Sequence, residues 1–238
     1  MIAAPMDAPA FPDLRAYLDQ LRRDGDLVTV SVPVDPRLEA AEIHRRVIAA
    51  GGPALLFTNV TGTGFPLVTN LFGTRRRVEK AFGRRPLEFV RRLAELAQRA
   101  TPPDLRTVWQ ERDFVRQLLR VGTSRQRSGP VAEVVTRDVR LEQLPVITSW
   151  PEDGGPFVTL PLVYTEHPER KGHNLGIYRM QVYGPRTTGM HWQIGKGGGF
   201  HHAVAEARGE ALPVTVFLGG HPRSCSRPSR PCPRTCPS

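Results

Sequence analysis

Cysteine and long apolar runs are scarce in this 238-residue chain. The three cysteines, Cys225, Cys232 and Cys236, all lie close to its C-terminal end. The rest of the chain therefore has no disulfide framework, and their spacing differs from a Cys-x-x-Cys zinc pair. No apolar run reaches the about 18 residues of a transmembrane helix, and the N-terminus lacks the pattern of a signal peptide. We therefore expect a cytoplasmic protein.

Acidic residues are also in short supply. Asp and Glu number 23 against 33 Lys and Arg, which gives a formal charge of +10 and a pI near 10.5. Such a charge fits either solvated arginines or a nucleic-acid surface. The arginines are scattered over several predicted elements, and no basic stripe is interleaved with aromatic residues. We therefore prefer solvated arginines and predict no nucleic-acid partner.

The first half of the chain alternates helical and strand-like patterns. Leu14, Tyr17, Leu18 and Leu21 recur at helical spacing, and a run of alternating valines follows them. These patterns predict an α/β region over residues 1–121. Its predicted helices cover residues 14–24, 38–50, 75–82, 86–99 and 114–121, and its predicted strands cover residues 28–32, 54–57 and 66–71.

The second half is β-rich. Residues 122–130 (GTSRQRSGP) are typical of a linker, and residues 131–220 carry strand patterns separated by Gly, Pro and Asp turns. These patterns predict a barrel-like β domain, so the fold class is α+β. The predicted strands cover residues 131–135, 146–150, 159–165, 175–183, 189–194 and 214–217, and a short helix is predicted at 203–208.

Residues 174–202 concentrate the polar chemistry of the chain. Asn174 offers a neutral oxygen to a hard divalent metal, and the glycines at 197–199 let backbone amides approach an anion. Lys196 supplies a point charge for a phosphate, and His201 or its neighbour His202 supplies an imidazole for an ion such as Mn²⁺. This pattern indicates a phosphate-and-metal site.

Each of these residues also has a structural interpretation. Asn174 follows a turn, and turns favour asparagine for its backbone geometry. Arg179 lies five positions further, so on a regular strand it faces the opposite side unless the chain bends at Gly176. His191 and Trp192 either stack on a planar ring or cover a barrel face. The acidic segment 152–156 is interpreted as a turn, and residues 51–53 as a helix stop rather than a phosphate loop.

Longer motifs around this segment resemble the UbiD-like carboxy-lyases. The resemblance covers nearly all of residues 11–220. It is carried by NLGIYRMQV, TTGMHWQIGKGGG with a following His, TSWPEDGGPFVTLPLVYT, DPRLEAAEIHRRV, GGPALLFTNV and FPLVTNLFG. It implies an N-terminal α/β region, a split β-barrel flavin-binding domain over residues 131–220, and a C-terminal α/β domain that is missing here.

The resemblance also implies roles for individual residues. Asn174 matches the metal-binding asparagine of the family, and His201 aligns with a position where some members have a histidine ligand. Arg179 matches the arginine near the substrate carboxylate, which gives it a catalytic role. The implied flavin contacts are Ile177, Tyr178, Arg179, His191, Trp192, Gln193, Lys196 and Gly197.

The implied cofactors are prenylated FMN, made by a flavin prenyltransferase, and a divalent metal such as Mn²⁺, with K⁺ often nearby. The implied activity is decarboxylation of an aromatic or α,β-unsaturated acid, with the flavin as electron sink and a glutamic acid as proton donor. The substrate stays open among a 4-hydroxybenzoate derivative of ubiquinone biosynthesis, another hydroxylated aromatic acid and a cinnamate-type acid. The full-length form is expected to self-associate.

Residues 221–238 depart from the family pattern. They contain four arginines, five prolines, three cysteines and no acidic residue, which is typical of GC-rich DNA translated in a shifted frame. In the family, a metal-binding glutamate, the proton-donor glutamate and a further domain follow at this point. We therefore predict a frameshift near residue 220 and little or no decarboxylase activity. The alternative is a non-catalytic flavin-phosphate-binding fragment or interaction module.

Overall fold

The computed structural model describes residues 11–82, 91, 129–193 and 195–220. The chain divides into two compact units, one formed by residues 1–83 and 139–238 and the other by residues 84–138. The first unit contains all the strands described below. The predicted helices at 86–99 and 114–121, the linker up to residue 128 and the tail at 221–238 lie outside the described residues.

The first helix, α1, spans Leu14–Arg23 and confirms the prediction from helical spacing. Its N-terminus is capped by Asp13, whose carboxylate accepts a hydrogen bond from the Ala16 amide at 2.8 Å. It ends before Gly25, which adopts a positive φ of 70°. Tyr17 and Leu21 are fully buried on its inner face.

A three-stranded sheet lies next along the chain, in the order β1–β2–β3. β1 (Leu27–Val30) pairs parallel to β2 (Ala54–Phe57), which pairs antiparallel to β3 (Leu67–Thr69). Helix α2 (Glu39–Ala49) connects β1 to β2, and α3 (Arg75–Phe82) follows β3. The predicted α/β character of this region is therefore confirmed.

The strand predicted at residues 28–32 from the alternating valines is only partly correct. β1 ends at Val30, and Val28 and Val32 are 46% and 64% exposed. The buried position of β1 is Leu27, which belongs to the core formed by α1, β2 and α3. A second core cluster, around Val34, Leu55 and Phe57, packs under α2.

Residues 157–217 form two antiparallel sheets of three strands each. One sheet has the order β4–β7–β8 and the other has the order β6–β5–β9. One helix, α4, lies between β8 and β9 in the sequence. The elements are β4 (Phe157–Val158), β5 (Leu162–Glu166), β6 (His173–Ile177), β7 (Met180–Gly184), β8 (Thr187–Met190), α4 (Gly197–Ala207) and β9 (Val214–Phe217).

The predicted single strand at 175–183 is wrong. The chain leaves β6 after Ile177 and enters β7 at Met180, so Tyr178 and Arg179 connect the two sheets. Within the described residues the sheets do not close into a barrel. The predicted mixture of α and β elements is confirmed, and the predicted barrel is not. The predicted strand at 131–135 is also wrong, because a 3₁₀ turn covers Pro130–Ala132. In the predicted strand at 146–150, Ile147 and Thr148 form isolated bridges instead of a strand.

Helix α4 begins six residues earlier than predicted. Glycine disfavours helix interiors, and the predicted helix did not include the triplet at 197–199. Tertiary packing overrides that preference, because a side chain at Gly199 would lie 2.6 Å from the Gln193 carbonyl oxygen. None of the described helices has the length and apolar character that crossing a membrane requires.

Candidate functional site

Asn174 lies on β6 with only 4% of its surface exposed. Its side-chain Nδ2 donates a hydrogen bond to the Tyr178 hydroxyl at 3.3 Å. The other side-chain atom, Oδ1, is buried without a hydrogen-bond partner. A buried carbonyl oxygen left unpaired costs roughly 1–3 kcal/mol. The Oδ1 of Asn70 in the N-terminal region is buried without a partner as well, but only the Asn174 oxygen belongs to the segment in which the sequence predicts a metal site.

Glycines provide the space in which Asn174 sits. A Cβ at Gly197 would lie 2.4 Å from Asn174 Oδ1, and a Cβ at Gly176 would lie 2.6 Å from the Tyr178 ring. A Cβ at Gly198 would lie 2.8 Å from the Tyr178 hydroxyl. Any larger residue at these positions would displace the Asn174 or Tyr178 side chain. The glycines predicted as an anion cradle are thus also a packing requirement.

His201 lies on α4 and is 7% exposed. Its Nδ1 forms a hydrogen bond with the Thr165 hydroxyl at 2.9 Å, and Thr165 is paired with Asn174 across β5 and β6. Directly paired residues of an antiparallel sheet point to the same face. Thr165 therefore links the two predicted metal ligands. Sequence analysis missed Thr165, because a threonine in a strand is ordinary.

The imidazole of His201 lies in electropositive surroundings. Burial lowers its pKa below the ordinary value, and the nearby His167, Arg170 and His173 lower it further. The rings of His167 and His201 lie 5.2 Å apart in an edge-to-face arrangement. His201 is thus favoured in its neutral form, which is the form that ligates metals.

An aromatic cluster adjoins the Asn174 pocket. Tyr178 is 3% exposed, and its ring lies 5.0 Å from that of Trp192. Trp192 stacks on His202 at 5.7 Å. Beside this cluster is a cleft of about 690 Å³, whose apolar walls include Met180, Met190, Val214 and Val216. The cleft has the size of a small-molecule site, but it is partly open to solvent and its walls also include Glu206 and Glu210.

Arg179 lies on a different face from Asn174. It is exposed, and its guanidinium lies 5.2 Å from the centre of the Phe157 ring on β4. The chain bends at Tyr178 and Arg179, where it changes sheets, rather than at Gly176. The bend directs Tyr178 into the Asn174 pocket and Arg179 toward the β4–β7–β8 sheet.

The remaining predicted residues surround the start of α4. Lys196 is exposed at the N-cap position, where its amide donates to the Gln193 carbonyl at 3.2 Å. His191 and Gln193 are exposed, and Ile177 is 38% exposed. The contacts of these residues with a flavin stay predictions.

The donor set fits a divalent metal in part. Asn174 Oδ1 is a hard neutral oxygen. Because Nδ1 of His201 is bonded to Thr165, its second ring nitrogen, Nε2, is the one that would bind a metal. Within the ranges described, no group of three or more His, Cys, Asp or Glu side chains is placed to hold a metal ion. Two neutral donors need anionic oxygens from elsewhere, and a phosphate at the start of α4 would provide them.

The fold is mixed α/β, and Asn174, His201 and the start of α4 form its candidate site. The sequence pattern of the 3-octaprenyl-4-hydroxybenzoate carboxy-lyase N-terminal domain matches residues 18–97. That of the 3-octaprenyl-4-hydroxybenzoate carboxy-lyase Rift-related domain matches residues 123–237, a range that includes most of the unusual tail. The chain belongs to the UbiD family of carboxy-lyases.

Individual relatives agree with this assignment. The chain is 47% identical to a Chlamydia pneumoniae protein named as a subunit of 4-hydroxybenzoate decarboxylase, over 88% of this chain and 35% of that protein. Its fold is similar to that of the UbiD-class enzyme HmfF from Pelotomaculum thermopropionicum in complex with prFMN. That likeness has a TM-score of 0.69 and 25% identity, over 88% of this chain and 44% of the other. The same enzyme in complex with FMN gives a TM-score of 0.67 and 25% identity, over 88% and 43%.

The chain is much shorter than these proteins. It spans 35–38% of the length of the curated relatives it matches. The rest of each relative's length has no counterpart in the residues described above.

Proposed function

We propose that this chain is the flavin- and metal-binding portion of a carboxy-lyase that uses prenylated FMN. Its family and its likeness to enzymes in complex with prFMN and FMN support this function. Since the chain spans a minor part of its relatives, we propose that it has little or no turnover by itself. A non-catalytic flavin-phosphate-binding fragment is the alternative, favoured by the same short length.

The observation that carries the proposal is the unpaired Oδ1 of Asn174. Burial of this atom without a partner is unfavourable unless a ligand satisfies it. Oxygen ligands of this kind suit Mn²⁺ and similar hard ions. In this proposal Asn174 Oδ1 and His201 Nε2 hold the ion from the protein side, and a flavin phosphate completes its coordination.

The start of α4 would receive the phosphate. A helix N-terminus presents free backbone N–H groups and the positive end of the helix dipole. Here the first turn consists of glycines. The Gly198 amide already donates to the Tyr178 hydroxyl, so the phosphate would be received by the amides of Gly197 and Gly199. Lys196 stands at the N-cap and adds a positive charge.

The residues of the chain would bind and orient the cofactor and the acid substrate. Bound prenylated FMN would supply the electron sink for loss of carbon dioxide. The cleft beside Trp192 would hold the flat ring system. Arg179, held over Phe157, would attract the carboxylate of the acid substrate. Because one relative is named as part of a 4-hydroxybenzoate decarboxylase, hydroxylated benzoic acids are the first substrates to test.

Flavin binding tests the proposal without requiring catalysis. FMN is titrated calorimetrically into the purified 238-residue chain, with and without Mn²⁺. We expect Mn²⁺ to raise the FMN affinity, and Asn174→Ala to abolish that gain. Asn59→Ala is the matched control, because the Asn59 amide is exposed and bonds the Ser31 carbonyl far from the pocket. Equal FMN affinity with and without Mn²⁺ in the unmodified chain contradicts the proposal.

A turnover measurement tests whether the chain is inactive by itself, as we propose, or active. The chain is reconstituted with prenylated FMN and Mn²⁺, and carbon dioxide release from 4-hydroxybenzoate and related acids is measured. We expect none above the background without protein. Sustained release would show that the chain needs no further residues for catalysis.

A further inference from the structure

The Tyr178 side chain is placed to do something other than contact a flavin. It is 3% exposed and points into the interior between β6 and α4. Its hydroxyl accepts a hydrogen bond from the Gly198 amide at 2.9 Å and another from Asn174 Nδ2 at 3.3 Å. One oxygen thus contacts both the candidate metal ligand and the first turn of the helix that would bind the phosphate.

The hydrogen bond to Tyr178 defines one orientation of the Asn174 amide. An amide side chain has one donor end and one acceptor end, which are nearly equal in shape. With Nδ2 on the Tyr178 hydroxyl, Oδ1 is turned to Gly197 and has no hydrogen-bond partner. Rotation by about 180° would bury the donor end there instead, and a donor cannot ligate a cation.

The residues around Tyr178 leave its ring little room to move. A Cβ at Gly176 or Gly198 would lie 2.6 Å or 2.9 Å from atoms of its ring, and the Trp192 ring lies 5.0 Å away, centre to centre. The ring is therefore held by packing, and the hydroxyl has a fixed location. A hydroxyl at this place accepts a hydrogen bond from Nδ2 when Oδ1 binds an ion, so it holds the amide in the orientation that a metal ligand needs.

We propose that Tyr178 is a positioning residue for the metal ligand Asn174. Its hydroxyl orients the amide so that Oδ1 faces the ion, and it holds the first turn of α4 in register with that oxygen. The inference rests on the proposed function, since it concerns the same metal. It gives the Tyr178 hydroxyl the role of orienting a metal ligand rather than of contacting the flavin ring.

The test compares Mn²⁺ affinity in Tyr178→Phe and the unmodified chain, measured by calorimetry and by the electron paramagnetic resonance signal of free Mn²⁺, with FMN present. Phenylalanine keeps the ring packing and removes only the hydroxyl. We expect Mn²⁺ affinity to fall by about 10–100-fold, which is typical when a group that orients a metal ligand is lost. Tyr164→Phe is the matched control, because the Tyr164 hydroxyl on the same sheet bonds Glu166.

A second background distinguishes positioning from a general structural role. In Asn174→Asp both side-chain oxygens can ligate, so orientation of the group no longer matters. Tyr178→Phe should then change Mn²⁺ affinity little. An equal loss in the Asn174 and Asp backgrounds would indicate a structural role and overturn the inference.

The outcomes also separate the inference from the function on which it rests. If the unmodified chain binds no Mn²⁺ with FMN, the proposed function fails and the inference fails with it. If the unmodified chain binds Mn²⁺ and Tyr178→Phe binds it equally well, only the inference is overturned.

Discussion

The Thr165 hydroxyl lies 2.9 Å from Nδ1 of His201 and connects β5 to α4. If His201 ligates a metal through Nε2, its Nδ1–H donates to Thr165, an arrangement common behind metal-binding histidines. The same threonine is paired with Asn174 on β6. One residue therefore bonds one candidate ligand and lies beside the other in the sheet.

Replacement of Thr165 by valine should weaken metal binding while the strand is kept. Valine retains the shape of the side chain but offers no acceptor to the His201 ring, so the ring loses its fixed orientation. We expect Mn²⁺ affinity in the presence of FMN to fall about 10-fold. Calorimetric titration of Mn²⁺ measures this, and unchanged affinity would show that His201 is held by other contacts or is no ligand.

Replacement of Gly197 by alanine tests whether the glycine is required for packing. Alanine has a higher helix propensity than glycine, so propensity alone predicts no loss of stability from this change at the first residue of α4. The added Cβ, however, would lie 2.4 Å from Asn174 Oδ1, so we expect the amide to move and Mn²⁺-dependent FMN binding to be lost. Gly172→Ala is the control, because a Cβ there has no atom within 4 Å. If Gly197→Ala retains Mn²⁺-dependent FMN binding, that binding does not require the Asn174 amide at its observed position.

The N-terminal region depends on a buried ion pair. Arg77 is 1% exposed and lies 2.7 Å from Asp26, and it also donates to the Gly52 carbonyl. Asp26→Asn would leave the buried guanidinium without its charged partner, which typically costs about 3–5 kcal/mol. Arg75→Gln on the same helix should cost less than about 1 kcal/mol, because the Arg75 side chain is 85% exposed. Urea denaturation of both variants measures the difference, and similar losses would contradict this ranking.

Stability should fall in mild acid. Burial and the neighbouring Arg45 lower the pKa of His44 below its ordinary value near 6.5, and the His44 Nδ1 is buried without a partner. The unfolded chain therefore takes up a proton first as pH falls. The free energy of unfolding should decrease from about pH 6.5 downward and level off below the pKa of His44 in the folded chain.

The contribution of His44 to this loss is isolated by His44→Gln. The pKa values of His167 and His201 are lowered in the same direction, so part of the acid sensitivity remains in the variant. We expect a smaller decrease between about pH 7 and pH 5 in the variant than in the unmodified chain, measured by urea denaturation at each pH. An identical decrease in both would exclude His44 as a source.

Local sequence patterns predicted the simplest elements correctly. The helix at Arg75–Phe82 and the strands at Ala54–Phe57 and Val214–Phe217 have the expected bounds. Each is an uninterrupted pattern between clear turn residues, and its periodicity depends on one local environment. The acidic turn is confirmed as well, since the Asp153 carboxylate accepts hydrogen bonds from the Ser149 and Trp150 amides.

Elements that depend on distant contacts were not predictable in this way. The pattern from Leu175 to Tyr183 favours strand throughout, and nothing local shows that the chain changes sheets at Tyr178. The start of α4 at Gly197 depends on space beside Asn174 and Tyr178, against the low helix propensity of glycine. The role of Thr165 depends on hairpin register, which sequence spacing alone does not fix.

The central claim is that Asn174 is a metal ligand beside a flavin phosphate. Its most direct test is a crystal structure of the chain grown with FMN and Mn²⁺, with diffraction recorded at the manganese absorption edge. We predict an anomalous peak within bonding distance of Asn174 Oδ1, with FMN phosphate density at the start of α4. Bound FMN with no manganese peak at Asn174, or a peak elsewhere, would contradict the account.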